Sequence, residues 1–397
     1  MGCCQSADAS AAPVERPQEA APATRESDKP APSPRENNAI DAKWEKYEVE
    51  TFEVDLGKWN SQDAGSLEAL LDSVDLIDLG YIIENAEAGF PVPRWQDVPH
   101  GARINRSNIH RIQDCISPYA LSILVLSYPW LDPQHPDKDL ATMKRMLPCL
   151  KAFHQGATKI GEGRTVGLMM DYPCLPQKSI TGEDDRTDEE KARFKRGLGT
   201  INEWYKHPYT TVLVCDVDMP GEESGHTNLR PYAQRGWCSF EFRASCLVKT
   251  MFCLWSLKGY ELGRCTTWGS ANQDAKSGIL RAAPMTPPKF DAMLRAGVER
   301  GEIAFTAKAD LDFVIAQYEK AFLSAFSHTK TLMYQYLKWP DSHMLELAEA
   351  LTYAREKDLL GNTSSVYAWG NECTDVGKNA VREALEGTKT QSVLDNK

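Results

Sequence analysis

An acidic side chain one helical turn after a tryptophan is the feature of this sequence best placed to do chemistry. Trp237 and Glu241 are four positions apart in a segment with helical character. Residues i and i+4 share a helix face, so the pair predicts an aromatic plane beside a carboxylate. Such a carboxylate is typical of sites that cleave a bond to a sugar. In the alternative interpretation, Trp237 and Phe240 are core residues and Glu241 is an ordinary solvated acid.

Alternating strand-like and helix-like segments between Ile116 and Leu257 must position this pair. This segment contains three apolar runs. A stretch with helical periodicity follows the first run and another follows the second, and a further helix is predicted to begin near Arg235. Residues 252–257 fit either a fourth strand or the continuation of that helix. This alternation predicts an α/β fold with a parallel sheet and helices on its faces. The three apolar runs predicted as strands are residues 120–126, 165–170 and 211–214.

Polar or turn-forming residues follow each predicted strand, in segments 127–130, 171–177 and 216–220. Ligands of open parallel sheets bind at the carboxyl ends of the strands. Asp171 is therefore a candidate binding residue. The alternative is that Asp171 only ends its strand and caps the next turn.

Composition and charge exclude several classes of protein. The net charge of −11 and the absence of Lys and Arg clusters argue against a nucleic-acid partner. The longest apolar run is far shorter than the roughly 20 residues that cross a bilayer. The eleven cysteines are scattered and indicate reduced thiols. Four of them are spaced as in no zinc motif: Cys238, Cys246, Cys253 and Cys265. We therefore predict no metal site among them.

The first residues predict lipid attachment. Met1 to Ser6 fit the N-myristoylation pattern, with Gly2 as the acylated residue. One myristoyl chain binds membranes only marginally, and residues 7–38 carry six acids against four bases, so Cys3 and Cys4 are predicted palmitoylation sites. The segment up to residue 40 lacks large apolar side chains and predicts a flexible tether. We therefore expect a membrane as partner and the cytoplasmic face of a membrane as location.

The rest of the chain divides by pattern into four parts. Residues 41–115 predict a mixed or helical N-terminal extension, 116–258 the α/β domain and 259–344 a helical region. Residues 345–397 contain a segment that resembles one degenerate leucine-rich repeat, in which Asn371 would satisfy backbone groups after a short strand. A single repeat cannot bury its own face, so the repeat is expected to be a remnant or a cap.

The α/β segment resembles two related families in its motifs. The resemblance to Toll/interleukin-1 receptor (TIR) domains rests on the Trp-Cys-x-x-Glu sequence at 237–241 and on Tyr232 before it. The resemblance to the heterokaryon incompatibility (HET) domain, a TIR relative, rests on the Tyr-x-x-Arg-Gly-Trp sequence at 232–237. An acidic strand end with spaced polar residues adds to it: Asp171, Cys174 and Gln177.

This resemblance implies a flavodoxin-like three-layer sandwich with a parallel sheet, followed by a mainly helical C-terminal region. TIR enzymes cleave the nicotinamide-ribose bond of NAD, so Glu241 would be the catalytic carboxylate and NAD a substrate, with no cofactor or metal. The other residues of the implied site are Ser127, Tyr128, Trp130, Asp171 and Trp237, with Tyr128 or Trp130 stacking on a base.

Two alternatives compete with this enzyme. Many TIR domains are adaptors, so the chain could be a non-catalytic, membrane-anchored scaffold that self-associates into a homo-oligomer or docks protein partners. A thiol hydrolase using Cys174 or Cys238 with a histidine would lack any family-like local signature.

Overall fold

A computed structural model describes residues 39–46, 64–104, 109, 112, 120–160, 165–250, 252–263, 267–276 and 281–395. The predicted lipidation sites Gly2, Cys3 and Cys4 and nearly all of the predicted tether lie outside these residues. Within the described part of the chain, no helix is both long and apolar enough to cross a bilayer.

A five-stranded sheet, mostly parallel, forms the centre of an α/β fold. Its order is β1-β3-β2-β4-β5, and only the first strand runs antiparallel to its neighbour. All five residues of β2 are buried, which fits the continuous apolar composition of a strand covered on both faces. The strands are β1 Ile77–Asp78, β2 Ile123–Ser127, β3 Gly167–Met169, β4 Thr211–Val214 and β5 Leu254–Ser256.

The predicted α/β fold with a parallel sheet is confirmed at this level. The ambiguous segment 252–257 contains a strand, β5, and the next helix begins at Leu257. The chain passes from β2 to β3 on one side and returns to β4 on the other, so the strand order reverses at β2. Such a reversal opens a crevice at the carboxyl ends of the strands, where ligands of parallel sheets bind.

Helices connect these strands. The helical periodicity after the second apolar run, carried by Phe194, Leu198, Ile201 and Trp204, lies in two helices. A capping box of Thr187 and Glu190 begins the first of them. The helices of this part are Met143–Ile160, Asp171–Cys174, Asp188–Leu198, Ile201–Lys206, Gly236–Ser245, Leu257–Glu261 and Trp268–Lys276. Before β2 lie Ala39–Glu45, Gly65–Glu68 and Leu79–Glu87.

The C-terminal part contains helices and a second sheet. The sequence predicts a core face of seven apolar residues here. Phe313 is half-buried against Trp237, and the other six are buried: Phe290, Leu294, Tyr318, Phe322, Phe326 and Leu337. The helices are Pro287–Glu299, Asp310–His328, Asp341–Glu356 and Asp375–Ala384. The sheet is parallel, in the order β6 Thr331–Met333, β7 Ser365–Tyr367 and β8 Gln391–Val393.

Asn371 follows β7 and bonds the backbone as the sequence predicts. Its Nδ2 donates to the carbonyl oxygens of Tyr334 and Ala368, both at 2.8 Å. Its Oδ1 accepts from the amides of Leu337 at 2.9 Å and Trp339 at 3.2 Å. The strand β7 therefore does not stand alone: β6 and β8, which the sequence analysis missed, flank it. Its assignment as a leucine-rich repeat stays a prediction.

Candidate functional site

A cavity of about 660 Å³ lies at the carboxyl ends of the central strands. This volume is within the range of about 300–1,000 Å³ typical of small-molecule sites. The loops after β2, β3 and β4 and the helix Gly236–Ser245 contribute to its wall. Five of the six predicted catalytic and binding residues line it: Tyr128, Trp130, Asp171, Trp237 and Glu241.

Glu241 carries a carboxyl group with an unusual affinity for its proton. The residue is partly accessible because it faces the cavity. Protein atoms nevertheless surround the carboxyl group closely, and this burial raises its pKa to about 8, against a lowering hydrogen bond from Ser127. The nearby charge of Asp171 raises the pKa further. At neutral pH the free protein therefore holds Glu241 mainly in its neutral form.

The Ser127 hydroxyl group, which itself contacts Tyr232, holds Glu241 in place. Ser127 Oγ donates to Glu241 Oε2 at 2.6 Å and lies 2.5 Å from the hydroxyl of Tyr232. The Tyr232 hydroxyl also lies 3.2 Å from the carbonyl oxygen of Cys238. Ser127 is fully buried and is not part of the cavity wall. The predicted contact of Ser127 with a substrate is therefore corrected, because its side chain lies behind Glu241 and orients that carboxyl group.

Asp171 is a second carboxyl group in the cavity. Its Oδ2 accepts from Trp130 Nε1 at 3.1 Å, and its Oδ1 accepts from the Tyr128 hydroxyl at 3.3 Å. Burial raises its pKa to about 6, partly offset by a bond from the Tyr172 amide. Asp171 is the first residue of the helix Asp171–Cys174 and faces the cavity, and its role in binding a ligand stays a prediction.

The predicted aromatic residues line the cavity in fixed orientations. Trp237 and Glu241 share a helix face, as their spacing predicts, and both line the cavity. Trp237 Nε1 donates to Asp310 Oδ2 at 2.9 Å, which fixes the indole ring. Tyr128 is 6% exposed, so little of its ring is free to stack on a base. Trp130 is half-buried, and it packs edge-on against Tyr172.

Part of the cavity wall comes from outside the predicted α/β domain. Residues 304–306 and Asp310 line one side. Gly236 packs so closely against the Phe305 ring that a Cβ would overlap it. The sequence analysis missed this wall, although glycine between Arg235 and Trp237 was a signal of close approach.

Arg235 ties the cavity loops together, a role that the sequence analysis also missed. Its guanidinium donates to the carbonyl oxygens of Trp130 at 2.5 Å, Arg230 at 2.7 Å and Asn228 at 2.8 Å. The residue is 7% exposed. Because these bonds use each of its nitrogens, Arg235 is a structural clamp between the loops after β2 and β4.

The cavity wall carries more carboxyl groups than cationic groups. Four carboxyl groups and two guanidinium groups line it. The guanidinium groups belong to Arg230 and to Arg235, whose nitrogens all bond to carbonyl oxygens. Such a wall favours a ligand that carries or develops positive charge. The four acidic residues are Asp132, Asp171, Glu241 and Asp310.

The buried thiols near the cavity are poor nucleophiles. Burial raises the pKa of Cys174 and of Cys238 well above the usual range of a thiol. A thiol in its neutral form reacts slowly, because the thiolate is the nucleophile. This chemistry argues against the thiol hydrolase alternative.

Comparison with known proteins gives no assignment: no family model, curated protein or solved structure matches the chain. The TIR and HET resemblance therefore stays a prediction from motifs. The geometry of the cavity carries the functional argument.

Proposed function

We propose that this protein cleaves the nicotinamide-ribose bond of NAD, with Glu241 as the catalytic carboxylate. The observation that carries the proposal is the position of Glu241, whose carboxyl group lies in a cavity at the carboxyl ends of parallel strands, on the same helix face as Trp237. The cavity lies where the strand order reverses, the expected place for a nucleotide in an open parallel sheet.

The topology of the sheet supports a flavodoxin-like plan. The four parallel strands follow the spatial order β3-β2-β4-β5. Numbered from the first parallel strand, this order is 2-1-3-4, the beginning of the flavodoxin-like order 2-1-3-4-5. We therefore infer a flavodoxin-like sandwich, the plan that the TIR and HET resemblance implies.

The reaction fits a single carboxylate in an acidic wall. The bond between C1′ of the ribose and the ring nitrogen breaks, and the electron pair moves to that nitrogen and neutralises the pyridinium. Water then adds a hydroxyl group to C1′ and releases a proton. Positive charge accumulates on the sugar in the transition state, so a nearby carboxylate lowers its energy. The leaving group needs no proton.

Substrate charge also acts on Glu241 itself. The pyridinium of NAD is cationic, and a positive charge within about 4–6 Å favours the ionised form of a carboxyl group. Binding of NAD would therefore lower the pKa of Glu241 from about 8 and generate the carboxylate in the complex. The neutral form in the free protein avoids an unpaired buried charge.

The membrane tether remains part of the proposal. Myristoylation of Gly2 and palmitoylation of Cys3 and Cys4 would supply the two anchors that stable attachment requires. The catalytic unit would then act at the cytoplasmic face of a membrane as a signalling enzyme, with self-association or protein partners as its control.

The pH dependence of nicotinamide release tests the proposal. The full chain is incubated with NAD in solution and on vesicles, and released nicotinamide is measured between pH 5 and 9. Because the carboxylate form of Glu241 is required, we expect kcat/KM to rise about tenfold per pH unit below pH 8 and to level off above it. No release under any condition would favour the scaffold alternative, and release independent of pH would remove Glu241 from the mechanism.

A further inference from the structure

We infer that Asp137, Asp139 and His226 form a binding site for a divalent metal ion, beside the cavity. Asp137 and Asp139 belong to the loop after β2, and His226 belongs to the loop after β4. One carboxylate oxygen from each aspartate and one ring nitrogen of His226 lie within 4.8 Å of one another. The inference does not use Glu241 and is independent of the proposed function.

The orientation of His226 is the first observation. Its Nδ1 lies 2.8 Å from Asp132 Oδ2, and the Thr227 amide and hydroxyl donate to Asp132 Oδ1 at 3.1 and 3.0 Å. Because a carboxylate oxygen can only accept, we assign the Nδ1 proton of His226 to this contact with Asp132 Oδ2, which also pairs with Lys138 Nζ at 3.3 Å. A carboxylate that fixes the tautomer of a histidine in this way is the usual support of a metal-binding imidazole.

The second ring nitrogen of His226 then faces a carboxylate. In the neutral imidazole, Nε2 carries a lone pair, and it lies 3.1 Å from Asp139 Oδ1. Two lone pairs at this distance repel unless a cation lies between them. Two ligands about 2.1 Å from one ion, at nearly a right angle, are about 3.0 Å from each other. The observed separation therefore fits two ligands of a single ion.

The surroundings of Asp137 favour a bound metal ion over a second proton on His226. The residue is 1% exposed, and its Oδ2 accepts from the amides of Thr142 at 3.0 Å and Met143 at 2.6 Å. Its Oδ1 is buried and has no hydrogen-bond partner among the residues that the structure describes. A second proton on His226 would explain the contact with Asp139 but would leave this oxygen unsatisfied. A metal ion bound by this oxygen together with Asp139 and His226 would satisfy both.

The donor set indicates the class of ion. One imidazole nitrogen and two carboxylates suit Mn²⁺ or Zn²⁺ better than an ion that prefers thiolates. The Asp139 side chain is 49% exposed, which gives the ion access and leaves room for water ligands. Asp132 and Thr227 line the cavity, so the ion would place positive charge next to the acidic wall.

Binding of Mn²⁺ to the full chain tests the site. Free Mn²⁺ is counted by its electron paramagnetic resonance signal as it is added to the purified protein. We expect saturable binding of one ion per chain. Asp139→Asn should weaken binding at least tenfold, and Asp132→Asn should weaken it about 10- to 100-fold by releasing the His226 ring. Because Asp139 is half exposed, its variant should fold like the wild type, which circular dichroism checks.

Glu222→Gln is the matched control, because Glu222 is an exposed acid of the same loop as His226. Its affinity for Mn²⁺ should equal that of the wild type. The site is refuted if the wild type binds no Mn²⁺, or if Asp139→Asn binds the ion as tightly as Glu222→Gln does.

Discussion

Replacement of Glu241 by glutamine should lower kcat/KM for nicotinamide release by about 10³-fold, with little change in KM. Glutamine keeps the shape and the hydrogen-bonding capacity of the side chain but cannot carry the negative charge that faces the developing sugar cation. The substitution should not disturb folding, since the raised pKa of about 8 means that the site already favours a neutral group. Steady-state release of nicotinamide at pH 8 measures the effect.

Glu189→Gln is the control for this prediction. Glu189 is an exposed residue of the helix Asp188–Leu198, whose Phe194 lines the cavity. Its variant should match the wild type. A Glu241→Gln variant that retains turnover within a few fold of the wild type would show that Glu241 is not the catalytic group.

Arg235→Ala should lower the free energy of unfolding by about 3–6 kcal/mol, the largest stability effect that we expect in the cavity wall. The change leaves the carbonyl oxygens of Trp130, Arg230 and Asn228 without their charged donor. Hydrogen bonds to charged groups contribute about 1.5–3 kcal/mol each, and the removed side chain also leaves a void. Urea unfolding measured by circular dichroism gives the value.

Arg235→Lys and Arg230→Ala make the test specific. The single ammonium of lysine cannot reach three carbonyl oxygens in the fork geometry of a guanidinium, so it should restore only part of the loss. Arg230 makes one long bond, to the Gly301 carbonyl oxygen at 3.4 Å, and its replacement should change stability by less than about 1 kcal/mol. Equal stability of Arg235→Ala and the wild type would contradict the clamp.

The sequence predicted those parts of the site that depend on local spacing. Trp237 and Glu241 are four residues apart, and helix geometry alone places them together. The apolar runs of β2 and β4 were visible because central parallel strands are buried on both faces. Asp171 was found because polar residues at the ends of such strands meet at one edge of the sheet.

The parts of the site that the sequence did not predict depend on contacts between segments far apart in the chain. Asp310 bonds Trp237 from 73 positions away, and His226 meets Asp139 across 87. No periodicity links such residues. In the sequence, Arg235 is only a charged residue of the Tyr-x-x-Arg-Gly-Trp sequence. The structure shows that it bonds three carbonyl oxygens. The strands β6 and β8 have three residues each, too few for an alternating pattern to identify them.

The proton affinity of Glu241 tests the central claim most directly, because every step of the mechanism uses a carboxyl group enclosed in the cavity. The measurement is a titration of the full chain carrying ¹³C-labelled glutamate carboxyl groups, followed by nuclear magnetic resonance, with the Glu241→Gln variant to assign the signal. We expect the Glu241 carboxyl group to titrate near pH 8, far above an ordinary glutamate. A midpoint near 4.5 would place this carboxyl group in open solvent and would contradict the account.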